Sequence, residues 1–260
     1  MKTIFRTIPQ LAGALSPGFG FFRLRLLVWL YYFFLSRKLG IVLAVPFKLT
    51  YYYQQKYFTF WVRHYLDIAV LAEVYLYQEY AWMPHDNPQI IIDLGAHIGD
   101  TALYYHARFP HARIIAVEPS PGNFALLQKN VAGIPQITAV QAALSDTDGT
   151  TTLNQVEGSL GHSVMLRAGI LSSVVVDSMT MATLYKKYAI TKADLIKFDI
   201  EGAEFALFAQ LDPGSYAQAY IGEVHLDFTP VPLEALTERF ATFTVGLTEL
   251  KPKRYLLTAY

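Results

Sequence analysis

Cysteine is absent from the 260 residues. That excludes disulfides, thiolate metal ligands and cysteine nucleophiles, and it fits a reducing compartment. Acidic residues are missing from the front of the chain: Met1 to Leu66 holds nine Lys or Arg and no Asp or Glu. The remainder carries twelve basic and twenty-one acidic residues, so a chain of zero net charge is split into a basic and an acidic part. A split of this kind points to a surface partner for the front part. A bilayer-long apolar run is lacking as well. Leu26 to Leu35 is unbroken and apolar, but ten helical residues reach about 15 Å, and a bilayer core needs about 20 residues. A second run, Leu39 to Val45, ends at Pro46, and joining the two would bury Arg37 and Lys38 at high cost. No small-residue cleavage pattern follows the first run, so no removable signal peptide is expected. Internal repeats and low-complexity linkers are also missing.

What is present is an apolar, aromatic chain (53% hydrophobic, 15% aromatic), ample for a sizeable core. The length suggests one large domain with an appendage. We place the basic, aromatic, helical N-terminal region at 1–66 and the catalytic domain at 67–260. Arg23, Arg25, Arg37 and Lys38 flank the Leu26–Leu35 run, in which Trp29, Tyr31, Tyr32 and Phe34 suit a headgroup interface. The expectation is a peripheral anchor through residues 1–60, on the inner face of the cell membrane of a cytoplasmic protein. The alternative is a helical cap packed on the domain or on a dimer partner. Nothing points to nucleic acid, and the oligomeric state stays open.

Beyond that region, Trp61 to Tyr80 reads as one long helix or two short ones, through Val62, Leu66, Val70, Val74 and Tyr77. Strands are expected at Ile90–Leu94, Ala112–Val117, Ile137–Ala142, Ser173–Val176, Leu195–Ile200 and Ala219–Leu226. Helices are expected at Thr101–Phe109, Pro121–Ala132, Ala182–Tyr188, Ala203–Leu211 and Pro232–Phe240. A hairpin with Asp148-Gly149 as its turn falls in Thr147–Gly161, and His162–Gly169 reads as loop. Phe243–Leu250 and Arg254–Ala259 form a closing antiparallel pair. Alternating strands and helices with short turns predict an α/β fold with a doubly wound sheet.

The chain is organised around Ile90-Ile91-Ile92-Asp93-Leu94-Gly95-Ala96-His97-Ile98-Gly99-Asp100-Thr101. A buried strand enters a glycine turn and then a helix whose free N–H groups suit an anionic ligand group. Glu118 ends the next strand, where a carboxylate can accept both hydroxyl protons of an adenosine ribose. The turn lacks the G-x-G-x-x-G spacing of a dinucleotide site, and bulky His97 and acidic Asp93 oppose a pyrophosphate. They suit a ligand bearing an ammonium group. S-adenosylmethionine offers one, with Asp93 meeting the ammonium, the helix start the carboxylate and Glu118 the ribose. Ala143 and Leu144 would flank the adenine, with Ser145 or Asp146 beside it. The cofactor-binding set read this way is Asp93, Gly95, Ala96, His97, Gly99, Thr101, Glu118, Pro119, Ser120, Ala143, Leu144, Ser145 and Asp199. The rivals are a nicotinamide-dependent oxidoreductase and a non-catalytic, membrane-associated nucleotide-binding scaffold.

The stretches IIDLGAHIGDTALYY, AVEPSP, QAALSD and DLIKFDIEGAEFALF together resemble the FkbM family of class I S-adenosylmethionine-dependent methyltransferases. The resemblance runs from about Asp67 to Leu226 and is most specific in Lys197, Asp199, Glu201, Gly202 and Glu204. It implies a Rossmann-like sheet of seven strands with the last pair antiparallel, and O-methylation of a hydroxyl, often on a sugar or a polyketide-like product. His97 stands where Asn is usual, and Ser178–Ala182 replaces a Thr-Leu-Asp element. With the basic front part, the acceptor expected is a saccharide or a glycolipid.

Methyl transfer to a hydroxyl needs positioning and a base that takes the proton late. The strand ends supply Lys197, Asp199, Glu201, Glu223 and His225. We assign the catalytic role to His225, Asp199, Lys197 and Glu201, with His225 as the base nearest neutrality. His162 and His97 are outside candidates, and Glu79 and Tyr80 are candidates for a lid. No metal is assigned, although Asp199, Glu201, Glu223 and His225 have the chemistry to hold a divalent ion that orients a diol.

Overall fold

The computed structural model describes residues 2–15, 20, 24, 27–28, 30–32, 35, 47–63, 65–156, 162–165 and 170–260. The Leu39–Val45 run, Trp29, Phe34 and the second half of the 162–169 stretch lie outside them.

A helix, Lys2–Leu15, opens the chain. Strands β1 (Phe47–Tyr53) and β2 (Lys56–Val62) then pair as an antiparallel hairpin. This corrects the expected helix start: Trp61 and Val62 end a strand, and the helix covers only Tyr65–Tyr75. The cause is legible afterwards. In KYFTFWV burial alternates, with Phe58, Phe60 and Val62 inward. The turn is made by Gln54 and Gln55, both at positive φ (49° and 63°), so no glycine announces it.

The remaining strands are β3 (Ile90–Leu94), β4 (Arg113–Val117), β5 (Ile137–Val140), β6 (Ala143–Leu144), β7 (Gly149–Gln155), β8 (Ser172–Met179), β9 (Leu195–Phe198), β10 (Tyr220–His225), β11 (Val245–Lys251) and β12 (Arg254–Ala259). Seven of them form one sheet in the order β11-β12-β10-β9-β3-β4-β5. The pairs among β10, β9, β3, β4 and β5 are parallel, and β12 runs antiparallel to both β10 and β11. Helices Asp100–Arg108, Pro121–Asn130, Met181–Lys187 and Glu204–Ala209 connect the strands. The apolar strand interiors separate two cores. Ile91, Ile114 and Ile221 face one side with the N-terminal elements, and Ile92, Ile115 and Phe198 face the other.

β6, β8 and β7 make a second, three-stranded sheet. The expected Asp148-Gly149 hairpin turn is not formed. Gly149 begins β7, which pairs with β8 over seven positions. The Asp148 carboxylate instead accepts from Thr180 N and Thr183 Oγ1 at the start of the following helix.

The front of the chain is joined to the domain. Ile8, Leu11, Ala12 and Leu30 are buried in the same core as Phe60, Val74 and Tyr105. Trp61 exchanges hydrogen bonds with the Asn130 side chain, and Lys129 Nζ lies 3.3 Å from the Trp61 ring centroid. Helical residues Leu24, Val28, Tyr32 and Leu35 are exposed. Among the described residues, no helix is long and apolar enough to cross a membrane.

Candidate active site

The turn after β3 is fixed by its neighbours in the sheet. Gly95 N and Ala96 N donate to Val117 O at 3.0 and 2.9 Å. Gly95 has φ +76°, and a Cβ there would lie 1.8 Å from the Asp199 carbonyl oxygen, so only glycine fits. Asp93 and Lys197 face each other across the β3–β9 ladder. Lys197 Nζ sits 3.1 Å from Asp93 Oδ1 and donates to Gly95 O at 2.8 Å, while Thr101 Oγ1 donates to Asp93 Oδ2 at 2.5 Å. Burial disfavours the Lys197 charge, but Asp93, Asp199 and Asp100 together outweigh it and raise its pKa. This departs from the role expected of Asp93. Its carboxylate is fully buried and bound to Lys197 and Thr101, so it braces the turn and does not present itself to a ligand ammonium. Lys197 is likewise spent on Asp93 and Gly95. Ala96, Gly99 and Thr101 are buried behind the turn.

On the far side of the turn a pocket is lined by Gly95, His97, Val117, Glu118, Pro119, Asn123, Ala142, Ala143, Leu144, Leu153, Asp199 and Glu201. Glu118, at the end of β4, is 5% exposed. Oε2 accepts from His97 N at 2.9 Å, and Oε1 accepts from Ser120 N at 3.0 Å and Asn123 Nδ2 at 3.3 Å. Burial pushes its carboxyl up to about 7, against the pull of His97 and these donors. His97 takes the left-handed conformation (φ 48°). Its ring nitrogens lie 3.3 Å from Asp100 Oδ1 and 3.6 Å from Asp67 Oδ1. Burial opposes its charge, but Asp100, Asp67 and Glu118 prevail and raise its pKa. Val117, Ala142, Leu144 and Leu153 give the pocket an apolar slot next to Glu118. Ser145 is outside that lining; its hydroxyl lies 3.0 Å from Asp146 Oδ1.

A second, more polar cavity opens on the other side and shares Gly95, His97, Asp199 and Glu201 with the first. Val70, Glu73, Tyr80, Asp100, Lys197, Glu223, Lys251 and Arg254 complete it. The Tyr80 hydroxyl lies 3.4 Å from Asp199 Oδ2 and 3.3 Å from Glu223 Oε1. Tyr80 therefore reaches the site, and half-buried Glu79 lies alongside. Behind this wall is His225, 0% exposed. Its Nδ1 is 3.0 Å from Glu204 Oε1, and its Nε2 is 3.5, 3.6 and 3.8 Å from Glu223, Glu201 and Asp199. Burial alone would lower its pKa, but the Glu204 bond and the surrounding carboxylates raise it to about 9. Burial and mutual repulsion raise Glu201, and push Glu223 up to about 8. The carboxylates thus lift His225 above the near-neutral value expected from its residue type. Ligand atoms of Asp199, Glu201 and His225 all lie within 4.8 Å of one another.

One contributor escaped the sequence reading, and a second was named there without a role. Asn123 ties Glu118 to Arg63, whose Nη2 donates to Asn123 Oδ1 at 2.6 Å. Glu204 is fully buried and orients His225. Its signal was the Asp199-x-Glu201-x-x-Glu204 spacing across a strand end and a helix start. His162, an outside candidate for the base, lines the first pocket.

A sheet with five parallel strands, an antiparallel final pair and a buried carboxylate beside a glycine turn defines the Rossmann-like class I methyltransferase architecture. Within that class, the methyltransferase FkbM domain matches residues 93–237, more than half of the chain, and the protein belongs to that family. Methyltransferase sdnD of Sordaria araneosa is 27% identical over 159 residues, covering 48% of this chain and 61% of that protein. Methyltransferase 1 of Beauveria bassiana is 25% identical over 162 residues, 54% of this chain and 65% of the relative. The chain thus matches less than two thirds of the length of either. Aeropyrum pernix fibrillarin, solved with natively bound S-adenosyl-L-methionine, superposes with a TM-score of 0.46 at 14% identity, over 82% of each chain. Family membership leaves the oxidoreductase reading without support.

Proposed function

We propose that the protein is an S-adenosylmethionine-dependent O-methyltransferase whose acceptor is a hydroxyl of a saccharide or glycolipid. One observation carries this reading: two cavities of different chemistry meet at a shared wall of Gly95, His97, Asp199 and Glu201. The first fits an adenosine. Its buried Glu118 is steadied by three N–H donors and can accept from a ribose diol, and Val117, Ala142, Leu144 and Leu153 offer an apolar slot for a base. When bound, the cofactor supplies an electrophilic methyl group. The chain's own part is to hold the two ligands in line and to remove a proton. Asp199 and Glu223, flanking the Tyr80 hydroxyl, orient the acceptor and take its proton. Lys197 acts from behind by fixing the turn. Tyr80 narrows the opening and excludes water.

The membrane contact of the N-terminal region belongs to the same proposal. Leu24, Val28, Tyr32 and Leu35 recur at three- and four-residue spacing and are 41–62% exposed, in a segment rich in basic residues and free of acidic ones. Calorimetry with S-adenosylhomocysteine and with NAD tests the cofactor, and methyl release with a mixed glycan and glycolipid pool tests the acceptor. Binding of NAD alone would refute the first, and transfer confined to nitrogen acceptors the second.

A further inference from the structure

We propose that His225 Nε2 and the carboxylates of Asp199 and Glu201, with Glu223 beside them, form a divalent-cation site that binds a Mn2+- or Mg2+-type ion and presents it to the acceptor cavity. The distances are the first ground. Nε2 lies 3.5 Å from Glu223 Oε2, 3.6 Å from Glu201 Oε2 and 3.8 Å from Asp199 Oδ1. These are too long for hydrogen bonds. They begin at the upper end of the edges of a coordination polyhedron, where ligands about 2.1 Å from one ion stand roughly 3.0 to 3.5 Å apart, so small side-chain shifts of a few tenths of an ångström would close them on an ion. Three carboxylates stand at nearly equal distance around Nε2, as ligands around one ion would.

The second ground is independent of the acidic cluster. His225 is fully buried, and its Nε2 and Asp199 Oδ1 are buried atoms without a hydrogen-bond partner. Such orphans cost about 1–3 kcal/mol each unless something occupies the space between them. The third is the supporting shell. Glu204 Oε1 meets Nδ1 at 3.0 Å and also accepts from Gly202 N at 3.1 Å. A carboxylate on the rear nitrogen of a histidine leaves the front nitrogen as the ligand and fixes the ring plane. Among the described residues, the neighbouring basic side chains do not fill the role. Lys197 is paired with Asp93, Arg254 approaches the cluster at 3.8 Å, to Glu201, while bound to Asp227, and Lys251 lines the cavity without an ion pair to the cluster.

One imidazole with carboxylate oxygens and no thiolate suits Mn2+ or Mg2+. Asp199, Glu201 and Glu223 line the acceptor cavity while His225 closes the rear, so open coordination positions face the acceptor. There an ion would bind a hydroxyl, or two adjacent ones, and make its proton easier to pass to a cavity carboxylate not bound to the ion, such as Glu73, while Asp199 and Glu223 hold the ion. That last role rests on the proposed hydroxyl chemistry; the site itself does not.

The test is Mn2+ titration of chelator-stripped full-length protein, with free Mn2+ read by electron paramagnetic resonance. Thermal shift with Mn2+, Mg2+ and Zn2+ runs in parallel. We expect one Mn2+ per chain, a raised Tm, and affinity about tenfold or more weaker in Asp199→Asn, Glu223→Gln and the positioning variant Glu204→Gln. Asp199→Asn and Glu223→Gln change partly exposed side chains; circular dichroism confirms their fold. Failure of the wild type to bind Mn2+ at millimolar concentration overturns the proposal, as does undiminished binding in both variants. Calorimetry of S-adenosylhomocysteine on the stripped protein separates the two ideas: if it binds while Mn2+ does not, the metal site falls and the cofactor reading stands.

Discussion

Replacing Glu118 tests the cofactor pocket most directly. Its two oxygens receive three N–H donors from His97, Ser120 and Asn123, and the lone pairs left over face the pocket. A ribose diol would add two hydrogen bonds to a charged acceptor, worth about 1.5 kcal/mol each at the lower end. Glu118→Ala should therefore weaken S-adenosylhomocysteine by about 3 kcal/mol, roughly 150-fold in Kd by calorimetry. A pH dependence comes with it. Burial raises the Glu118 pKa from 4.5 to about 7 in the fold. A raised acid favours the fold fully below its unfolded value of 4.5, and the contribution is lost as pH rises through about 7, for about 3 kcal/mol in all. A ligand that needs the ionised carboxylate works in the opposite sense. Its affinity should fall by up to about tenfold per pH unit below 7 and level off above it. Glu118→Gln should flatten that profile. His97, whose own pKa is raised by Asp100 and Asp67 against burial, faces the same carboxylate and lowers its pKa. His97→Asn should therefore move the bend of the profile upward. Unchanged affinity in Glu118→Ala, or the same pH slope in wild type and Glu118→Gln, would refute the ribose role.

Other perturbations address the frame and the front of the chain. Gly95→Ala must place a Cβ 1.8 Å from the Asp199 carbonyl oxygen at positive φ; we expect about 3 kcal/mol or more of destabilisation in urea titration, and a neutral result would show that the turn is not held by β9. Lys197→Met strands the buried Asp93 carboxylate and should cost about 3–5 kcal/mol, with much of it recovered in the double variant Asp93→Asn/Lys197→Met; additive losses would show that the two are not a pair. Val28→Asp with Tyr32→Asp should abolish co-flotation with anionic vesicles and leave Tm nearly unchanged, since both side chains are exposed. Equal flotation of this variant, or none by the wild type, would remove the membrane role.

The parallel part of the sheet was legible because its strands are buried on both faces and read as near-continuous apolar runs closed by glycine or proline turns. The hairpin of β1 and β2 was not, because a Gln54-Gln55 turn carries no glycine and a run of aromatic residues at short range fits either period. The same division holds within the site. Sequence alone determined the local chemistry: a glycine turn, a carboxylate at the next strand end, an acidic strand end at Asp199-x-Glu201 and a histidine at the end of β10. It could not assign partners. Lys197 and Asp199 share a strand face and read as neighbours, but the register between β9 and β3 sets Lys197 against Asp93. That pairing took Asp93 away from the ligand and made it a brace. His225 read as a base by its intrinsic pKa, and only the tertiary structure surrounds it with Glu204, Glu201, Glu223 and Asp199. Local sequence sets what a side chain can do; the charges that decide which state it holds arrive from distant parts of the chain, through strand pairing and burial.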